Sequence, residues 1–325
     1  MNARIQFAAA VLSVFAGATV TTPVLAQKYP AKPIRFIVGY APGGGTDVMA
    51  RAVSSKLPEF LGQQVLVENR PGANANLAAE FASKQPADGY TVLFISASHA
   101  MSKSVYSRLG YDIERDFTPI TIVSEVSNVM AVHPSLPVRT VKDVIALARS
   151  KPGQITYGTS GVGSPEHFAG EMLKNMAHID MLAVPYRGGG PLAIDLLAGH
   201  VMMSFSTMPP IIPHIRANRV RAIAVTMAKR AAVLPDVPTI AEAGVPGYAM
   251  STWYGCVVRT GTPPEIVNRL NAAVLKILAM TDVRDRLANL GAEIVGGNVQ
   301  DSAAFLKAEI AKYAKVAKAS NIHAD

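Results

Sequence analysis

The stretch IRFIVGYAPGGGTDVMARAVSSKLPEFL, residues 34–61, decides the fold. It opens on an apolar run, residues 34–40, with the length and branching of a strand buried on both faces. A glycine-rich turn follows, Ala41-Pro42-Gly43-Gly44-Gly45-Thr46-Asp47. The spacing then changes: Met49, Val53, Leu57 and Leu61 recur at helical intervals, which predicts one helix over residues 48–61. A switch from strand to helix across a short glycine turn is the signature of a βα unit.

The alternation continues outward. Strands are predicted at 64–68 and 91–96 with a helix at 76–83, then a strand at 129–133 and a helix at 141–150. The pattern restarts with strands at 155–158, 181–186, 201–205 and 220–226. Helices at 167–176 and 191–198 lie between them, with a proline-rich turn and helix reaching Asn218. A strand at 252–258 leads into helices 264–279, 282–290 and 302–320, which have no strands of their own. Two such series predict an α/β protein of two Rossmann-like lobes with a ligand cleft between them. The last helices are expected to pack back on the first lobe. Residues 27–127 and 251–325 then form one lobe and residues 128–250 the other.

Residues 1–26 read as a secretory signal peptide. Arg4 supplies the positive start, residues 5–20 are uncharged and apolar, and Val24-Leu25-Ala26 offers a cleavage site. An uncleaved anchor is the alternative, but the apolar segment is short for a span and no stop-transfer cluster follows. A periplasmic protein cleaved after Ala26 is expected. Losing Arg4 lowers the net charge from +8 to +7. A basic excess suits nucleic acid, a membrane surface or an acidic ligand. The basic residues are scattered and aromatics make up only 6%, so there is no nucleic-acid stripe. Cys256 is the lone cysteine, which rules out an internal disulfide. No His/Cys cluster has zinc spacing, and neither metal nor cofactor is expected.

Four turns that follow predicted strands share one composition. They are residues 41–47, Ser96-Ala97-Ser98-His99, Thr159-Ser160-Gly161-Val162-Gly163-Ser164, and Arg187-Gly188-Gly189-Gly190. Open α/β sheets bind ligands at such strand ends. Glycine lets backbone N–H groups approach a ligand, and a helix N-terminus adds unpaired donors and partial positive charge. Serine and threonine add hydroxyls. The set suits a small anion, although tight βα turns need glycine in any case. A hydrogen bond to a charged group contributes roughly 1.5–3 kcal/mol, so four or five sum to roughly 6–15 kcal/mol. Micromolar affinity needs about 8 kcal/mol, and no dedicated arginine is required.

Other candidates flank these turns. Tyr40 and Tyr186 end strands and are candidate pocket walls. His167 could donate to a carboxylate or pack within its own turn, and His99 likewise. Asp47 is expected to fix its loop or face the helix dipole. Arg187 is expected at the rim, and Trp253 near the second lobe crossing.

Enzyme signatures fail. Val162 breaks the G-x-S-x-G pattern begun by Gly158 and Ser160, and Val48 replaces the third glycine of a dinucleotide fingerprint. Neither a phosphate-binding G-x-x-x-x-G-K-[ST] nor H-E-x-x-H occurs. Ser160 or Ser164 with His167 would make a hydrolytic pair, but no acid is placed to complete a triad. The protein is therefore not expected to be an enzyme.

At these residues the chain resembles the Bug/TctC family, the solute-binding proteins of tripartite tricarboxylate transporters. The matching motifs span nearly the whole chain after residue 28. They are YP (29–30), KPIR (32–35), PGGGTD (42–47), AR (50–51), VENRPGA (67–73), DGYT (88–91), YD (111–112) and DF (116–117). The second half adds VPY (184–186), LPDVPT (234–239), EAG (242–244) and WYG (253–255). The resemblance implies a type II periplasmic binding fold whose cleft holds a carboxylate through backbone groups, hydroxyls and ordered water. By position it carries ligand contact onto residues 42–47, 160–164 and His167, then onto 96–98 and Gly188-Gly189. It implies membrane permease subunits as partners, and we expect a monomer. A sensor reporting ligand to a membrane receptor kinase is the alternative role.

Three departures stand out. Ala75 replaces a usual glycine, and Pro165-Glu166 replace small hydroxyl residues before the histidine. Ser206 stands where many members carry an acid. Without that acid, the resemblance points to an amine-free ligand, an aliphatic or aromatic mono- or dicarboxylate.

Overall fold

The structure is a computed structural model that describes residues 29–324; the predicted signal peptide lies outside the described residues. The first series runs β1 (Ile34–Val38), α1 (Gly45–Ser54), α2 (Leu57–Leu61), β2 (Val65–Asn69), α3 (Asn76–Ser83), β3 (Thr91–Ser96), α4 (Ala97–Val105) and β4 (Phe117–Val132). The second runs α5 (Val141–Ser150), β5 (Thr156–Thr159), α6 (Pro165–Ala177), β6 (Leu182–Pro185), α7 (Gly189–Ala198), β7 (Met203–Thr207), α8 (Met208–Arg216) and β8 (Arg221–Val225). The chain closes with β9 (Ser251–Arg259), α9 (Pro264–Ala279), α10 (Thr281–Asn289), β10 (Ala292–Gly296) and α11 (Val299–Ala319).

The strands join in the order β2-β1-β3-β9-β4-β7-β5-β6, with β8 and β10 also on β4. The pairing divides at β4. Its residues 117–127 lie antiparallel to β9, with β10 on the other side. Residues 128–132 lie antiparallel to β7 and β8 instead. One long strand thus threads both lobes, each with a parallel βα set at its outer side: β2-β1-β3 in the first and β7-β5-β6 in the second.

Side-chain alternation builds the two apolar layers. On β1, Ile34, Phe36 and Val38 enter one core cluster and Ile37 the other. On β3, Val92 and Phe94 oppose Leu93 and Ile95 in the same way, as the two-residue period of a strand requires. Helices α1, α2 and α9 supply one layer; α4, α6 and α11 supply the other. With both faces covered, these strands read as unbroken apolar runs.

Four expectations need correction. The predicted 48–61 helix is two helices, because Pro58 has no N–H to continue α1 and instead sits in the first turn of α2. The Ser96–His99 turn is the start of α4, with Ser96 as its N-cap. The 129–133 strand begins twelve residues earlier, at Phe117. The C-terminal segment does contain a strand, β10, which pairs with β4.

Candidate ligand-binding site

The site begins where β1 ends. Gly44 caps α1 with extended backbone, and Val48 N–H bonds back to the Gly44 carbonyl at 2.9 Å. The earlier amides of the turn have no carbonyl partner within the helix. Asp47 holds this loop in shape. It accepts from Gly43 N–H at 3.0 Å, from Asn69 Nδ2 at 2.9 Å and from Arg51 Nε. Burial pushes its pKa up, but the bonds from Arg51, Gly43 and Asn69 outweigh that and hold it below its ordinary value. Its role is structural, and it does not line the cavity.

From the end of β3, Ser96 and Ser98 face the same space. Ser98 Oγ meets the Tyr40 hydroxyl, which also donates to Asn74 Oδ1 at 2.7 Å. The Asn74 turn is left-handed at Ala73, Asn74 and Ala75 in succession. Ala75 thus takes a positive φ, the conformation in which glycine is usual. A Cβ on Gly39 would lie 2.3 Å from the Ala75 Cβ, so glycine at 39 accommodates it. His99 accepts Ser96 N–H on Nδ1 and is fully buried; desolvation lowers its pKa to about 4.

The second lobe contributes the β5–α6 turn. Ser164 caps α6 and accepts from His167 N–H at 3.3 Å. Pro165 fills the first helical position, where no N–H is needed. Glu166 comes next; it is 2% exposed and accepts from Ser160 Oγ at 2.5 Å. Burial raises the Glu166 pKa above its ordinary value, opposed by the Ser160 and Ser164 hydroxyls. His167 is turned aside: its Nδ1 accepts from Gly163 N–H at 3.1 Å. Neither serine hydroxyl bonds to the His167 ring, so no nucleophile–base pair forms.

These parts surround a narrow, partly open cavity of about 20 Å³. Its wall includes Tyr40, Gly44, Gly45, Thr46, Ser96 and Ser98 from the first lobe. Ser160, Pro165, Glu166, Gly189 and Thr207 come from the second, with Thr252 and Tyr254 on the connecting strand β9. Five helices begin at this wall: α1 at Gly44–Thr46, α4 at Ser96, α6 at Pro165–Glu166, α7 at Gly189 and α8 at Thr207. Each brings the positive end of its dipole to the wall, although Pro165 in α6 and Pro209 and Pro210 in α8 have no N–H to offer. Among the described residues, no lysine, arginine or histidine lines the cavity. Two wall hydroxyls, Ser96 Oγ and Tyr254 OH, are buried without a well-formed hydrogen bond in the chain. A buried polar atom left this way costs free energy, and a ligand oxygen would satisfy it.

Several expected residues stand behind or beside this wall. Gly161, Tyr186 and Arg187 line an adjoining outer pocket together with Asn74 and Tyr106. Tyr186 donates to Asp195 at 2.9 Å. Pro42 and Gly43 face a separate outer groove. Gly163, Ser164 and His167 shape the α6 turn, and Gly188 packs on the Tyr40–Ala41 backbone. Ser206 bonds to Ser204 at 3.0 Å. Trp253 donates to Glu309 on α11 at 2.9 Å and does not line the cavity. The reading of the turns missed Pro165, Glu166, Thr207, Thr252 and Tyr254 as wall residues. Of these, Thr252 and Tyr254 lie within a strand, where turn composition gives no signal.

The lobes meet closely around the cavity. A Cβ on Gly45 would lie 2.5 Å from Thr207 Oγ1 and 2.6 Å from Tyr254 OH. Gly44 lies against the Gly189 and Gly190 amides.

Known proteins resemble this chain over most of its length. The profile described as the tripartite tricarboxylate transporter family receptor, TctC, matches residues 49–322. The chain is 35% identical to protein BugT of Bordetella pertussis over 95% of its length and 96% of that protein. It superposes with a TM-score of 0.88 on Rhodopseudomonas palustris Rpa4515 solved with adipate, at 40% identity, covering 90% of this chain and 99% of that one. MatC from the same organism, solved with malate, gives a TM-score of 0.84 at 29% identity, covering 89% and 99%. The protein is a solute-binding protein of the two-lobed periplasmic type, not an enzyme. It belongs to the TctC family of tripartite tricarboxylate transporter receptors.

Proposed function

We propose that this chain captures a small organic carboxylate, aliphatic or aromatic and mono- or dicarboxylic, and presents it to the membrane permease subunits of a tripartite tricarboxylate transporter. The observation that supports this most is the meeting of five helix N-termini, from both lobes, at a cavity with no cationic side chain among the described residues. Anionic oxygens are the groups such a wall favours. The adipate and malate held by its relatives are of that class. Ser206 in place of an acid favours a ligand without an amine.

In this reading the chain is exported by its leader, cleaved after Ala26, and works as a monomer. The lobes hinge where β4 changes partners, between Ser127 and Asn128, and where β9 begins at Ser251. Ligand touching both lobes favours the closed state by its differential affinity for it. Calorimetric titration of the mature protein with adipate, malate and benzoate tests the reading. At least one should bind with a micromolar Kd. Failure of all three at millimolar concentration, with tight binding of an amine-bearing solute, overturns it.

A further inference from the structure

Among the described residues, Glu166 is the one carboxyl group in the cavity wall, and the function proposed above does not use it. It is 2% exposed and bonded to Ser160 Oγ. The other ionisable groups facing it are Tyr40 from the turn after β1 and Tyr254 from β9. Burial pushes both phenols above their ordinary values, so both stay neutral. The charged or titratable groups on the neighbouring elements are occupied elsewhere. Asp47 of α1 pairs with Arg51, His99 of α4 binds the Ser96 amide, and His167 of α6 binds the Gly163 amide. Asp195 of α7 accepts from Tyr186. Among the described residues, no cation is left in the wall to balance a second negative charge.

A carboxylate entering this cavity would share it with Glu166. Two carboxylates in one buried site do not both ionise readily; one takes a proton. The alternative is a ligand ammonium on Glu166. That group brings three donors and no acceptor into a wall built from amides and hydroxyls, where helix N-termini repel positive charge. A proton on Glu166 removes the repulsion and adds a donor toward the ligand. We propose that Glu166 is a specificity-determining residue that holds a proton when a carboxylate is bound, so that ligand and proton enter the cavity together. This rests on the carboxylate reading above. The upward push of burial on Glu166 acts in the same direction.

The test is calorimetry of whichever of adipate, malate and benzoate binds, repeated in phosphate and Tris buffers from pH 6 to 9. The difference in heat between buffers gives the protons taken up per ligand. The count should rise toward one with pH, and affinity should fall about tenfold per pH unit where uptake is complete. Glu166→Gln keeps the shape and a fixed donor. Its proton count should be near zero and its affinity flat with pH. A count of zero for the unmodified protein at every pH, with the carboxylate bound, overturns the proposal. So does tighter binding of an amino acid than of the same acid without its amine. Failure of every carboxylate to bind would instead count against the proposed function, which keeps the two outcomes separate.

Discussion

Tyr254 ties the core to the cavity. Its ring stacks on Phe94 within the core, while its hydroxyl reaches the cavity without a well-formed partner. Tyr254→Phe should leave the stability of the ligand-free protein within about 1 kcal/mol, because it deletes a buried hydroxyl that makes no well-formed hydrogen bond. Carboxylate affinity should fall roughly 10- to 100-fold, the worth of one hydrogen bond to a charged group. Urea unfolding and calorimetry measure the two effects. His99 gives a second prediction. Its folded pKa of about 4 lies below the ordinary 6.5. Between those values the unfolded chain takes up a proton that the folded chain refuses, so stability falls as pH drops through that window, by about 1.4 kcal/mol per unit at most. Above pH 6.5 the contribution vanishes. His99→Asn should remove this component, seen as the difference between the two melting curves across pH 4–7. Turn composition marked Tyr40, Gly44, Gly45, Ser96, Ser98, Ser160 and Gly189, because glycine and hydroxyl residues concentrate at strand ends. It could not mark Tyr254 or Thr252. Their side chains reach the cavity from mid-strand, and strand alternation says which face a residue takes but not what lies opposite.

At the level of elements, the βα units were legible because strands covered on both faces carry unbroken apolar runs. The failures have the same physical origin. Ser124, Glu125, Ser127 and Asn128 interrupt the apolar run of β4, so only its last part stood out. Yet Ser124, Ser127 and Asn128 are buried, and Asn128 donates to Phe205 O and accepts from Thr252 at the point where the strand changes partners. β10 is short and mostly exposed, with no buried alternation to read. The loop between β1 and α1 depends on Asp47, which ties Gly43, Asn69 and Arg51 together. Asp47→Ala should cost about 2–4 kcal/mol in urea unfolding, since it leaves partly buried donors unpaired. It should also weaken carboxylate binding, because the α1 amides lose their support. A variant of unchanged stability would show that the loop is held by other contacts.

Over the whole molecule, β4 and β9 carry the chain between two lobes whose helix ends face each other across one cavity. Binding energy in such an arrangement is spent partly on closure. Small-angle scattering should therefore show a smaller radius of gyration with saturating carboxylate than without; identical curves would mean that the lobes do not move. The electrostatic claim is tested most directly by thermal shift, comparing adipate, malate and benzoate with their neutral amides. At least one acid should raise the melting temperature progressively with concentration, reaching about 2.7 kcal/mol of added stability at a hundred times its Kd, while its amide does nothing. Equal shifts from acid and amide, or shifts from amines alone, would contradict the account.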